Sequence, residues 1–83
     1  MTLLYFAWVR EKVGISQESV TPPETVRTVD ELITWLSGRS PQHADAFSDR
    51  KLVKIAVDQV HANPRAEILG AKEVAFFPPV TGG

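Results

Sequence analysis

The sequence predicts an α+β fold in which a mixed sheet wraps around one main helix. Three observations carry this expectation. A capped amphipathic segment between Thr28 and Ser37 reads as a helix. Segments rich in β-branched and aromatic residues lie before and after it. The chain has 83 residues, enough for one small core and little room for an enclosed catalytic cavity. The expected organisation is a folded unit over residues 1–77 and an extended tail over 78–83.

Residues 2–9 hold Leu, Tyr, Phe, Trp and Val in an almost unbroken apolar run. Such a run predicts a strand covered on both faces. One helix can cover one face, and a partner is expected on part of the other. Gly14 predicts a turn, and residues 16–21 an edge strand paired back on the first. Pro22-Pro23 end that strand, because proline cannot donate to the ladder.

Thr28 and Glu31 form a Thr-x-x-Glu capping box. Val29, Leu32, Ile33 and Leu36 fall on one helical face, and Gly38 suits the position after the helix. Ser40-Pro41 predicts a short second helix through Ala44 and Phe47. Residues 52–57 read as a strand with β-branched residues at 53, 55 and 57. Asp58-Gln59 turns the chain into Val60-His61-Ala62, and Asn63-Pro64 turns it again. Gly70-Ala71 precedes a last strand from Glu73 to Phe77. A right-handed crossover through the helix places the first and last strands side by side and parallel. This is the β-grasp layout.

Composition excludes several functions. Net charge is −1, and Lys and Arg are scattered without a basic stripe, so nucleic acid is not an expected partner. There is no cysteine, so any sulfur chemistry needs sulfur from elsewhere. His43 and His61 lack a ligand spacing such as i, i+4, and no metal site is expected. Asp and Glu show no pairing that suggests acid–base catalysis. Trp8 and Trp35 read as core or interface anchors, and Arg10-Glu11-Lys12 as a solvated strand end. The first apolar run is too short to span a membrane and lacks a signal-peptide layout, so the cytoplasm is expected.

The tail carries the chemistry. Pro78-Pro79 stop strand pairing and fix φ, so Pro78, Pro79, Val80, Thr81, Gly82 and Gly83 should leave the sheet extended. Six such residues reach roughly 20 Å at about 3.3 Å each. Gly82 and Gly83 carry no Cβ and can enter a channel too narrow for other residues. A thin protruding carboxylate suits delivery to another protein's active site. Adenylation would convert it to a mixed anhydride that a sulfur nucleophile can attack. The product would be a thiocarboxylate, or a thioester with an enzyme cysteine.

Val74-Ala75-Phe76-Phe77-Pro78-Pro79-Val80-Thr81-Gly82-Gly83 resembles the C-terminal signature of the small-subunit family of molybdopterin synthase, the MoaD family. Phe6-Ala7, Val9-Arg10-Glu11 and Val13-Gly14 resemble that family's first strand and turn. The similarity continues in register through Thr28-Val29, the Leu32 helix and Ala56-Val57 with Gln59. The resemblance implies a ubiquitin-like β-grasp fold and a carrier cycle. An E1-like adenylyltransferase activates Gly83 with ATP, and a sulfur-donating persulfide enzyme leads to the thiocarboxylate. The tail then enters the large subunit of molybdopterin synthase and gives sulfur to cyclic pyranopterin monophosphate, forming molybdopterin. The carrier binds no cofactor and has no active site of its own. Residues matching Phe6 and Phe77 contact the partner in that family. His61 stands near the same face, where the family tends to be apolar, and Gly70-Ala71-Lys72 replaces a frequent Asp-Gly turn. Two other readings stay open: a sulfur carrier of thiamine synthesis, transfer-RNA thiolation or protein modification, and a non-catalytic interaction module.

Overall fold

A computed structural model of the chain describes residues 1–79. Five strands form one mixed sheet: β1 (Thr2–Tyr5), β2 (Gln17–Ser19), β3 (Lys54–Val57), β4 (Val60–Ala62) and β5 (Glu73–Phe77). Their order is β2-β1-β5-β3-β4. β1 and β5 are adjacent and parallel, with Leu3 opposite Val74 and Tyr5 opposite Phe76. The other pairings are antiparallel. Three helices, α1 (Ala7–Val13), α2 (Val29–Ser37) and α3 (Pro41–Ala46), bury residues in the same core as the inward side chains of the sheet.

The main helix α2 forms as its sequence predicts. Thr28 Oγ1 accepts from the Glu31 N–H, and the Glu31 carboxylate accepts from the Thr28 N–H. The next free N–H groups of that first turn are also used. Val29 and Asp30 donate to the carbonyls of Ala66 and Pro64, which ties the 63–68 loop to the helix. Val29, Leu32, Ile33 and Leu36 are buried. Gly38 follows the helix, but in right-handed geometry with φ −85°, so its freedom to go left-handed is not used.

The first apolar run departs from its expectation. It is not one strand over 2–9. β1 ends at Tyr5, and Ala7–Val13 form α1. The run is apolar for two different reasons. Leu3 and Tyr5 alternate into the core from the strand, whereas Val9 and Val13 reach it one helical turn apart. Arg10-Glu11-Lys12 therefore lie on the exposed side of a helix, not at a strand end. Gly14 closes that helix at φ 95°, its N–H donating to the Arg10 carbonyl at 2.8 Å. A second difference falls at residues 50–52, which make a 3-10 turn, so β3 starts at Lys54 and not at Leu52.

Asp58 and Gln59 both take positive φ, 47° and 70°, as a two-residue hairpin turn between β3 and β4 requires. The Asp58 carboxylate also accepts from the Lys72 and Glu73 N–H groups, at 2.9 Å each, and so pins the start of β5. Gly70 supplies the positive φ of 77° just ahead of it.

A buried polar network joins edge strand β2 to α3. Glu18 Oε2 lies 2.7 Å from both the Tyr5 hydroxyl and His43 Nε2. Ser40, which caps α3, lies 2.7 Å from His43 Nδ1. With Nε2 protonated, His43 donates to Glu18, while Nδ1 stays within hydrogen-bond distance of the Ser40 hydroxyl. Among the described residues no buried side-chain nitrogen or oxygen lacks a partner. Burial alone would raise the Glu18 carboxyl. The hydrogen bonds from His43 and Tyr5, with the charges of His43 and Arg39, outweigh it and hold the group below its ordinary value. Burial, then the bond to Glu18, pushes the Tyr5 phenol well above its own, so it remains a donor.

Two measurements check this account. Leu36 is fully buried, and Leu36→Ala should cost about 2–5 kcal/mol in urea denaturation. Glu18→Gln should cost about 1–3 kcal/mol at neutral pH, because a charged acceptor serves two donors. A carboxyl lowered on folding stabilises above its unfolded pKa, near 4.5, and loses that contribution as pH falls through the folded value. The gap between wild type and Glu18→Gln should therefore narrow below pH ~4.5, as denaturation curves from neutral to acid pH would record.

Candidate functional site

The tail leaves from the middle of the sheet. β5 is hydrogen-bonded to β1 on one side and β3 on the other, so the position of Phe77 is fixed by two neighbours. The Phe6 N–H donates to the Phe76 carbonyl at 3.0 Å and extends the β1 contact by one bond. Pro78 and Pro79 follow, half-buried and without an N–H to continue pairing. Val80, Thr81, Gly82 and Gly83 lie outside the described residues.

Large apolar side chains surround this exit in the open. Phe6, just past β1, is 46% exposed, and Leu52, ahead of β3, is 48% exposed. Sequence reasoning placed Leu52 inside a strand and missed it as a surface residue. The signal was Asp49, whose carboxylate accepts from the Lys51 N–H and starts the 3-10 turn.

The helices cover one face of the sheet and leave the other. Alternation sends Leu4, Ala56, Ala75, His61 and Phe77 to that uncovered face, and the register puts Leu4, Ala75, Ala56 and His61 in one row across four strands. The His61 and Phe77 rings meet edge to face, with centroids 5.5 Å apart. They come from β4 and β5, on either side of β3, and the small side chain of Ala56 on β3 lets them close over it. Two of the expected interface residues, His61 and Phe77, are thus in contact, and Phe6 stands at the end of the neighbouring strand.

A groove of about 570 Å³ opens beside this pair. Ile33, Val53, Ile55 and Ala62 form its apolar part, and Asp30, Arg50, Lys51 and Lys54 its charged part. Arg50 is committed to Asp30 and to Thr34 Oγ1. The remaining sequence candidates lie elsewhere. His43 is buried in the network with Glu18, apart from His61 on the open face. Trp8 and Trp35 pack partly buried against the core, and the Arg39 guanidinium sits 4.8 Å from the Trp35 ring. The site is an apolar platform beside the point where the chain leaves β5 at Pro78-Pro79.

The chain matches the ThiS family over residues 3–83. It is 40% identical over 81 residues to the molybdopterin synthase sulfur carrier subunit of Escherichia coli strain K12, covering 98% of this chain and 96% of that protein. It is 29% identical over 83 residues to the molybdopterin synthase sulfur carrier subunit of Haemophilus influenzae, covering 100% of this chain and 99% of that one. In fold it is similar to the crystal structure of SAMP1 from Haloferax volcanii, with a TM-score of 0.74, 24% identity, and coverage of 100% and 98% of the two chains. The architecture is that of the ubiquitin-like β-grasp proteins.

Two adjacent phenylalanines separate the platform from the core. Phe76 is fully buried, stacked on Tyr5 at 5.7 Å and edge-on to Phe47 at 5.0 Å, while Phe77 faces outward. Phe76→Ala should cost about 3–5 kcal/mol. Phe77→Ala should cost about 1 kcal/mol, the scale of its one aromatic contact. Chemical denaturation of the two variants side by side measures the difference.

Proposed function

The chain belongs to the ThiS family, and from that premise we propose that it is the sulfur carrier of molybdopterin synthase, acting through the carboxylate of Gly83. The observation that carries the reading is the Pro78-Pro79 exit from a strand held on both sides, running into Gly82-Gly83. The likeness of the whole chain to two proteins named as molybdopterin synthase sulfur carrier subunits supports it.

The chemistry follows from the terminal group. A carboxylate is a poor acyl donor, because its oxygen is a poor leaving group. Attack of the Gly83 carboxylate on the α-phosphate of ATP expels pyrophosphate and gives an acyl adenylate. This step belongs to an E1-like adenylyltransferase. A persulfide on the sulfur-donating enzyme then attacks the acyl carbon and AMP leaves. A thiol cleaves the resulting acyl disulfide, leaving the thiocarboxylate on Gly83 and a disulfide on the donor. In the large subunit of the synthase, the sulfur passes to cyclic pyranopterin monophosphate, and water restores the carboxylate. Two such transfers complete molybdopterin.

In this cycle the fold supplies position. The partner docks on the platform near Phe6, His61 and Phe77, and the tail, roughly 20 Å from Pro78 to Gly83, carries the reacting atom to a fixed depth. Pro78, Pro79, Val80 and Thr81 line up in the channel, and Gly82 passes its narrowest part. Among the described residues no helix is long and apolar enough to cross a membrane, and we assign the cycle to the cytoplasm. A carrier for thiamine synthesis or transfer-RNA thiolation would share the Gly-Gly chemistry, but the two named relatives favour the molybdopterin pathway.

The test is made at the terminus. One residue appended after Gly83 turns the reactive carboxylate into an amide and moves the new one by ~3.3 Å. A 1 Å misplacement can cost about a hundredfold in rate, so transfer should stop. Gly82→Ala should keep wild-type thermal stability and lose adenylation or sulfur transfer, because a Cβ fills the space the channel leaves. Thermal melts, ATP-dependent thiocarboxylate mass shifts and molybdopterin yield measure all three. Wild-type molybdopterin yield from either variant, without trimming, refutes the mechanism.

A further inference from the structure

Two grooves of similar size, about 570 Å³ each, open on this surface. One lies at the end where β1 and β5 begin, between Met1, Pro23, Val26 and Leu69. Its charges are mixed, with Glu24 and Glu67 beside Arg27, and give no preference for a ligand of either sign. The other lies beside the tail exit and is different. Its lining holds Arg50, Lys51 and Lys54 against one carboxylate, Asp30, an excess of two positive charges among the lining residues, with the Asp49 carboxylate beside the Lys51 backbone. The chain as a whole carries −1, so this is a local concentration against the overall sign.

The excess sits on identifiable groups. Arg50 and Asp30 pair with each other. Among the described residues Lys51 and Lys54 have no ion-pair partner, and both are exposed. Lys54 pairs in register with Phe77 across β3 and β5, so its stem stands in the platform itself. Between the lysines and the sheet the groove is apolar, with Ile33, Val53 and Ile55 buried beneath it. His61 and Phe77 belong both to the groove and to the platform, so the two surfaces are continuous.

We infer that this groove receives an acidic segment of the protein that docks on the platform, with carboxylates at Lys51 and Lys54 and an apolar side chain against Phe77. The inference rests on the carrier reading above, in which that protein is the large synthase subunit. Charge complementarity and continuity with the platform select the occupant. A nucleic acid would need several phosphate contacts in line, and among the described residues the groove offers two cations without an ion-pair partner. Exposed lysines at the edge of an apolar contact act mainly on encounter rate and salt dependence.

The experiment measures binding kinetics of the full-length chain to the purified large subunit at low and high salt. The variants are the double charge reversal Lys51→Glu with Lys54→Glu, the double Lys51→Arg with Lys54→Arg, and Phe77→Ala. The charge reversal should lower affinity about tenfold or more at low salt, chiefly through the association rate, and flatten the salt dependence. The arginine variant should bind as wild type. Phe77→Ala should weaken binding at every salt concentration. Melting temperatures of the lysine variants should match wild type, since both side chains are exposed. If charge reversal leaves affinity and salt dependence unchanged while Phe77→Ala weakens binding, the groove inference is overturned and the carrier reading stands. If the wild-type chain does not bind the large subunit, both fall. Self-association of the wild type that the reversal abolishes would assign the groove to a second copy and overturn the inference.

Discussion

β5 is held from both sides, and the rest of the structure depends on that constraint. Its parallel pairing with β1 and antiparallel pairing with β3 leave it no freedom to slide, because a one-residue slip would turn every side chain to the other face. A slip one way would put Ala75 where Phe76 packs between Tyr5 and Phe47 and Glu73 in the place of Val74, and a slip the other way would put Ala75 in the place of Val74. The hydrophobic cost of a slip therefore fixes where the chain stops pairing at Pro78. A tail that starts from a fixed point can deliver its end to a fixed point.

The same alternation divides the labour of the sheet. Leu3, Tyr5, Ile55, Val74 and Phe76 face the helices and make the core. Leu4, Ala56, Ala75, His61 and Phe77 face away. An 83-residue chain has too little material to cover both faces of a five-stranded sheet, so the second face stays uncovered. Small side chains at 56 and 75 keep it low and flat, and the aromatic pair rises at one side beside the tail.

Stability and function are kept apart in this molecule. The polar network of Tyr5, Glu18, Ser40 and His43 fastens the weakest element, the three-residue edge strand β2, to α3. Its groups resemble catalytic ones in kind, yet each is spent on the others. Lys51 and Lys54 are the reverse case, exposed and without an ion-pair partner among the described residues. A histidine or a lysine is informative only once its partners are known.

The sequence by itself determined the helix α2, the parallel pairing of the first and last strands and the exit of the tail. Each rests on local chemistry: a capping box, β-branched segments joined by one crossover, and a proline pair before two glycines. The chemistry proposed for the tail rests on the same kind of local signal, a Pro-Pro pair running into Gly82-Gly83. Tertiary structure decided the rest. Residues 7–9 continue the apolar run of β1, and only packing against the core shows that Val9 and Val13 are read at helical spacing. It also decided that Leu52 is exposed, that His61 and Phe77 touch over Ala56, and that Lys51 and Lys54 share a groove with residues from α2 and β4. Those are relations between elements far apart in the chain. No local pattern encodes them, because each depends on which strand lies beside which and on the face to which a period of two sends each side chain.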